Sequence, residues 1–154
     1  MSARPAEKTS LEIKRFINAP RAEVYAAWTD PAQLKRWFGP EWVKTRDFFC
    51  EVRPGGKFRW DLINCDGEEK TIGGEYREII PEERIVFTWK HFDDKAWGNQ
   101  TSVVTLELSD RGDGTDLRLT HVQLPTEASR DDHNEGWKSV LDRLEKFVSK
   151  CLLM

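Results

Sequence analysis

The sequence predicts one α+β domain in which a curved antiparallel sheet of seven strands packs around a long C-terminal helix, with two short helices after the first strand. Two patterns lead to this prediction. Short segments in which apolar and polar residues alternate, separated by turn residues, run from Lys44 to Leu124. An apolar stripe at three- and four-residue steps then runs from Trp137 to Cys151. A chain of 154 residues has the length of a single domain with one sizeable core.

The first strand and the two short helices come at the start of the chain. Leu11 and Ile13 alternate with polar residues along a strand that ends at Asn18. Ala19-Pro20 then opens a helix, and we expect the proline at its first position. Asp30-Pro31 opens the next helix, with the aspartate as its cap.

Six further strands are predicted between Lys44 and Leu124. A strand ending near Val52 is followed by the turn Pro54-Gly55-Gly56 and by a strand from Lys57 to Leu62. The other predicted strands span residues 72–79, 84–89, 101–108 and 116–124. Alternation places the apolar side chains of each strand on one face, which we expect to line the interior.

The last helix has the clearest pattern in the chain. Its apolar stripe consists of Trp137, Val140, Leu141, Leu144, Phe147, Val148 and Cys151. We expect this stripe to lie against the sheet, and Asp132 with Glu135 to form a capping pair near the start of the helix.

Composition and charge exclude several functions. With 24 basic and 27 acidic side chains and no long block of either sign, nucleic-acid binding is not expected. No segment approaches the length of a membrane span, and the start of the chain lacks the apolar core of a signal peptide. The three cysteines form no C-x-x-C pair, which is typical of reduced thiols in a cytoplasmic protein. We expect a monomer or weak homodimer without a cofactor.

The two ends of the chain are assigned to segments outside the domain. Residues 1–10 are expected to form a disordered N-terminal segment, residues 11–150 the single domain, and residues 151–154 a C-terminal tail. Cys151-Leu152-Leu153-Met154 has the form of a prenylation box. Lys146 and Lys150 alone are a weak basic second signal, and we therefore interpret these residues as the end of the helix.

Several short motifs resemble those of one family. They are Ala27-Trp28-Thr29-Asp30-Pro31, Leu34-Lys35-Arg36-Trp37-Phe38-Gly39-Pro40, Pro54-Gly55-Gly56, and Gly136-Trp137 with Leu141 and Leu144. In this order they resemble the activator of heat-shock-protein-90 ATPase homologue (AHSA) family of the START-like, or SRPBCC, superfamily, over about residues 11 to 149. The resemblance implies the helix-grip fold, with a deep cavity between the sheet and the long helix. The co-chaperone that names the family carries an additional N-terminal domain, for which this sequence has no counterpart.

An excess of aromatic residues points to a binding cavity. The chain has seven tryptophans and eight phenylalanines, and such flat, rigid side chains suit a ligand pocket, although any one of them can simply pack in a core. The residues expected to contact a ligand are Trp28, Trp37, Phe38, Trp42, Phe58, Trp60, Tyr76, Phe87, Trp89, His121, Trp137 and Leu141.

His121 is the one candidate for catalysis, because alternation places it beside Leu117 and Leu119 on the interior face. The alternative is a hydrogen-bonded core histidine, which the lack of a spaced nucleophile or carboxylate favours. His91 and His133 are expected at the surface, and the spacing of the three histidines does not suggest a metal site.

Three functions are therefore considered. The first is binding of a hydrophobic small molecule or lipid in an internal cavity. The second is a cavity enzyme of cyclase or hydrolase type that uses His121 as acid or base, and the sequence favours binding over catalysis. The third is partnership with heat-shock protein 90 through the loop at Glu41 and Trp42 and through an exposed rim at Asp93-Asp94 and Trp97-Gly98-Asn99.

Overall fold

The computed structural model describes residues 8–149 of the chain. The strands are β1 (Leu11–Ile17), β2 (Lys44–Cys50), β3 (Lys57–Ile63), β4 (Glu69–Ile80), β5 (Arg84–His91), β6 (Ser102–Arg111) and β7 (Gly114–Val122). The helices are α1 (Arg21–Thr29), α2 (Pro31–Trp37) and α3 (Glu127–Ser149), with a single 3₁₀ turn at Lys95–Trp97. The predicted α+β fold of seven strands and a long final helix is confirmed.

All seven strands form one antiparallel sheet in the order β1-β7-β6-β5-β4-β3-β2. From β2 to β7 each strand therefore pairs with its neighbour in sequence, as a meander does, and β1 closes the far side by pairing with β7. The pairing register shifts between Thr45 and Asp47 in β2 and between Tyr76 and Glu78 in β4. Such irregularities bend a strand and increase its twist, so that the sheet curves around α3.

A close backbone approach also shapes the bend in β4. An added Cβ at Gly74 would lie 1.9 Å from the carbonyl oxygen of Thr88 in β5 and 2.8 Å from the ring of Phe58 in β3. Only a residue without a side chain fits at this point.

The predicted apolar face of β3 and most of the predicted stripe of α3 are buried, with Phe147 half-buried and Cys151 outside the described residues. Phe58, Trp60 and Leu62 of β3 are each no more than 6% exposed. On α3 the buried side chains are Trp137, Val140, Leu141, Leu144 and Val148. The apolar periodicity of the sequence thus identifies which faces meet in the core.

Two predicted helix starts are wrong. Pro20 is the residue before α1 and not its first residue, because its ψ of 152° is extended. The helix α3 begins at Glu127, so that Asp132 and Glu135 lie within it and do not cap it. The capping group is Thr126, whose hydroxyl accepts a hydrogen bond from the backbone amide of Ser129 at 3.0 Å. At α2, in contrast, the predicted cap is confirmed, because Asp30 accepts from the amide of Ala32 at 3.0 Å.

Parts of the terminal assignments lie outside the described residues. These parts are residues 1–7 of the predicted N-terminal segment and the whole of the tail at 151–154, including its prenylation-type box. Within the described range, the carbonyl of Thr9 accepts a hydrogen bond from the amide of Leu124 at 3.0 Å. No helix among residues 8–149 is long and apolar enough to cross a membrane.

Candidate functional site: an aromatic cavity between sheet and helix

A cavity of about 470 Å³ lies between α3 and the strands β3, β4 and β5. Aromatic and aliphatic side chains form its walls: Phe38, Trp60, Leu62, Ile72, Trp89, Trp137 and Val140. Pro40, Trp42 and Val43, from the loop after α2, line the same cavity. Its polar lining residues are Asn64, Lys70, His91, Asp94, Asp132, His133 and Glu135. Apolar side chains thus form the majority of the lining, as in small-molecule sites, and seven polar residues share it.

The loop that contributes Trp42 is tied to α3 by two hydrogen bonds. The amide of Glu41 donates to the hydroxyl of Ser139 at 2.8 Å, and the guanidinium of Arg143 donates to the carbonyl of Gly39 at 2.9 Å. Gly39 has a φ of 106°, and an added Cβ would approach the ring of Trp60 to 2.9 Å. Glycine therefore allows the loop to turn directly against a cavity wall.

The aromatic walls pack closely against one another. Phe38 meets the ring of Trp60 edge-on at a centroid distance of 5.0 Å, and Trp89 lies 5.1 Å from Trp137. The indole N–H of Trp60 also donates to the hydroxyl of Thr45 at 3.0 Å. Rings held by such contacts are preorganised, so that a ligand would not have to order them on binding.

A second, much smaller void of about 20 Å³ lies deeper in the core. It is lined by Trp28, Leu34, Phe38, Phe48, Phe58, Tyr76, Ile85, Phe87 and Trp89. Its volume is that of about one water molecule. Among residues 8–149, two buried side-chain nitrogens have no hydrogen-bond partner: the indole nitrogen of Trp28, which lines this void, and Nε of Arg84.

The twelve residues expected to contact a ligand therefore fall into three groups. Phe38, Trp42, Trp60, Trp89 and Trp137 line the large cavity. Trp28, Phe58, Tyr76 and Phe87 line the small void and not the large cavity. Trp37, His121 and Leu141 line neither and are at most 2% exposed. Trp37 is held in the core by donating its indole N–H to the carbonyl of Ala27 at 2.9 Å.

His121 is fully buried, and both of its ring nitrogens are hydrogen-bonded. Nδ1 accepts from the indole N–H of Trp137 at 2.9 Å, and Nε2 lies 2.7 Å from the hydroxyl of Ser102. That hydroxyl donates in turn to the carbonyl of Trp89 at 2.7 Å. Because Nδ1 accepts, Nε2 carries the proton, and the three bonds form one chain with every donor matched to an acceptor. Burial lowers the pKa of His121 well below its usual value, so that the ring is neutral at physiological pH.

The surface placement expected for His91 and His133 holds only in part, because both side chains are half-buried and line the cavity. The two side chains meet at the cavity, where their Nε2 atoms are 2.9 Å apart. Burial is the first cause that lowers the pKa of His91 to about 3, and the nearby His133 lowers it further. Burial also lowers the pKa of His133, against a hydrogen bond to Ser129 that raises it.

The sequence contains a signal that both histidines of this pair face the interior. Ile85, Phe87 and Trp89 alternate along β5, and the same alternation continued for two residues places His91 on the interior face. His133 lies four residues before Trp137 and therefore on the same face of α3. Within residues 8–149, no group of three or more His, Cys, Asp or Glu side chains is arranged to hold a metal ion.

The predicted rim at residues 93–99 is wrong in one part. Asp93, Asp94, Gly98 and Asn99 are exposed, but Trp97 is only 2% exposed. The 3₁₀ turn directs its indole inward, where the ring stacks on His91 at a centroid distance of 5.0 Å and an angle of 17°. Trp97 therefore packs against His91 of the histidine pair and does not present a surface for a partner.

A family model described as activator of Hsp90 ATPase homolog 1-like protein matches residues 18–149. The chain belongs to this family. The predicted resemblance to the AHSA family is thereby confirmed.

Solved structures share the fold of this AHSA-like protein. Protein CV1439 from Chromobacterium violaceum is 27% identical, with a TM-score of 0.83 over 91% of this chain and 96% of that chain. Protein NE0264 from Nitrosomonas europaea is 23% identical, with a TM-score of 0.79 over 96% and 98% of the two chains. The AHSA1 protein SPO3351 from Silicibacter pomeroyi is 24% identical, with a TM-score of 0.76 over 89% and 95%. Among curated proteins, no sequence matches this chain.

Proposed function

We propose that this AHSA-like protein binds a hydrophobic small molecule, aromatic or lipid-like, in the cavity between its sheet and α3. The observation that carries the proposal is the space of about 470 Å³ walled by Phe38, Trp60, Trp89 and Trp137. Ligand sites commonly have volumes of about 300 to 1,000 Å³ and apolar linings with a few polar groups. Indole rings offer large flat contact areas with little conformational freedom to lose.

Gly136 provides a way to fill the cavity without disturbing its walls. It lines the cavity from α3, and a Cβ added there would meet no atom within 4 Å. A phenyl group at this position can therefore occupy the space that a ligand would use. Gly136→Ala is the matched control, because it makes the same backbone change without filling the space and should stabilise the helix by up to about 1 kcal/mol.

The test compares the two variants against a panel of aromatic and lipid-like compounds. Compounds that raise the thermal midpoint of Gly136→Ala, and that remain bound in native mass spectrometry, should have no effect on Gly136→Phe. A panel in which no compound binds, or in which compounds act equally on both variants, would contradict binding in this cavity.

The geometry gives no support to a cyclase or hydrolase that uses His121. Its two ring nitrogens are already engaged by Trp137 and Ser102, and it does not line the cavity. General base catalysis needs a free lone pair within reach of the substrate.

Partnership with heat-shock protein 90 is suggested by the family's description and would use the exposed loop at Glu41 and Trp42. Trp42 is 47% exposed, which is unusual for an indole and fits a contact surface. Stimulation of the chaperone's ATPase by the protein, lost in Trp42→Ala, would support this role. An ATPase rate unchanged by the protein would contradict it.

A further inference from the structure

The hydrogen bonds around His133 determine where its proton lies. Nδ1 of His133 is 2.7 Å from the carbonyl oxygen of Ser129, an atom that can only accept. The proton of the neutral ring is therefore on Nδ1. Nε2 is left with a lone pair, and it accepts from the indole N–H of Trp89 at 3.1 Å.

This assignment determines the tautomer of His91. Its Nε2 lies 2.9 Å from Nε2 of His133, and one of these two nitrogens must donate to the other. With its proton on Nδ1, neutral His133 has none to give from Nε2, so that His91 donates and carries its own proton on Nε2. The one lone pair of His133 Nε2 is then shared between the N–H groups of His91 and Trp89. The lone pair of neutral His91 is consequently on Nδ1.

Nδ1 of His91 is an acceptor without a donor among residues 8–149. It is also absent from the buried side-chain atoms of that range that lack a partner, and so it keeps some exposure. The ring is fixed in place by its stacking on Trp97 and by its bond to His133. Since His91 lines the cavity, this acceptor is available to a bound molecule.

The charges around the cavity restrict the ligand further. Its lining includes the carboxylates of Asp94, Asp132 and Glu135, against the single ammonium of Lys70. Lys70 is also paired with Glu68 at 3.2 Å. An anion would face this carboxylate excess with both cavity histidines neutral, and its desolvation would have little compensation.

We propose that the cavity selects uncharged aromatic molecules that carry a hydroxyl group, and that this hydroxyl donates to Nδ1 of His91. The inference rests on the proposed function, because it specifies the chemistry of a ligand bound in the same cavity. The indole walls hold the ring system, and His91 sets its orientation. Molecules of the same shape that lack a donor, or that carry a carboxylate, bind less well.

Three naphthalene derivatives test the inference on the unaltered protein by isothermal titration calorimetry. They are β-naphthol, which has the donor, its methyl ether, which keeps the oxygen but loses the donor, and β-naphthoate, which is an anion. A neutral hydrogen bond corresponds to a preference of about three- to tenfold for β-naphthol over the methyl ether. The nitrogen NMR signal of Nδ1 of His91 should shift on titration with β-naphthol and not with the ether.

The variant His91→Phe provides a second test of the hydrogen bond to the ligand. His91→Phe keeps an aromatic ring against Trp97 but removes the acceptor, and the ratio of affinities for β-naphthol and its ether should fall to about one. If that variant does not fold, the affinity ratio and the NMR signal of the unaltered protein still test whether His91 accepts a hydrogen bond from the ligand.

The outcomes separate this inference from the proposed function. Equal binding of β-naphthol and the ether, abolished in Gly136→Phe, would overturn the role of His91 and leave cavity binding standing. Tightest binding of β-naphthoate would likewise overturn it. Binding of none of the three compounds would count against both proposals.

Discussion

Single side chains in this protein act mainly through the hydrogen bonds of its indole and imidazole rings. The N–H of Trp137 is satisfied by His121, and that of Trp89 by His133. Burying an indole ring costs less free energy when its N–H finds an acceptor. The histidines of the core thus allow tryptophans to form the cavity walls.

We expect His121→Phe to lower the free energy of unfolding by about 1 to 3 kcal/mol, because the substitution keeps a ring of similar size but leaves the N–H of Trp137 buried without an acceptor. Urea denaturation measures this loss. Ser102→Ala removes the next link in the same chain of bonds. The losses in the double variant should therefore be less than additive. An unchanged urea midpoint for His121→Phe would show that the chain of bonds does not contribute to stability.

At the scale of elements, α3 meets the sheet through the face that bears His133, Trp137 and Val140. His133 contacts His91 of β5, and His121 of β7 lies 5.1 Å from His133 between ring centroids. Three imidazoles from three elements therefore meet at one junction. His121 and His133 must stay neutral for the hydrogen bonds between helix and sheet to persist, because each accepts an indole N–H.

This junction makes the fold sensitive to acid. The pKa of His91 falls from 6.5 to about 3 on folding, and those of His121 and His133 are also lowered by burial. Asp94 raises the pKa of His91 and Asp132 raises that of His133, but burial is the larger effect. The unfolded chain thus binds more protons than the folded protein below pH 6.5, so that stability is fully present above that value and falls as the pH drops toward 3.

The expected slope is up to about 1.4 kcal/mol per pH unit for each histidine that stays neutral in the folded protein. Urea midpoints between neutral pH and about pH 5 measure it, and His91→Gln should make the slope shallower. A slope that is the same in the variant would contradict the assignment of this acid sensitivity to His91.

At the scale of the whole molecule, the curvature of the sheet leaves room for a cavity beside a filled core. The close approach of Gly74 to Thr88 and the register shift after Tyr76 lie in the part of β4 that bends. On one side of the bend the aromatic rings close to a void of about 20 Å³, and toward the start of α3 they leave about 470 Å³ open.

Gly74→Ala should destabilise the protein by about 1 to 3 kcal/mol or more, because β4 and β5 must separate to admit the methyl group. Gly136→Ala, where an added Cβ meets no atom within 4 Å, serves as the control for a glycine substitution in open space. Thermal and urea unfolding of the two variants give the comparison. Equal stability of Gly74→Ala and the unaltered protein would show that the strands tolerate the shift.

The sequence by itself determined the order of the elements, the buried faces of β3, β5, β6 and β7, most of the stripe of α3, and the family. These properties follow from local periodicity and from short motifs, and each is encoded within a few consecutive residues. The aspartate cap of α2 belongs to the same class, since its bond reaches only two residues along the chain.

Only the tertiary structure decided which aromatic residues border an open space, that Trp97 is buried, and that His91 and His133 form a pair. These features depend on distances between side chains that lie far apart in sequence, 42 residues apart for the two histidines. The alternation of β3 predicts that Phe58 and Trp60 both face inward. Whether an open space lies next to either ring depends on how the sheet bends around α3. That bend is set by the packing of all seven strands together and not by any one segment.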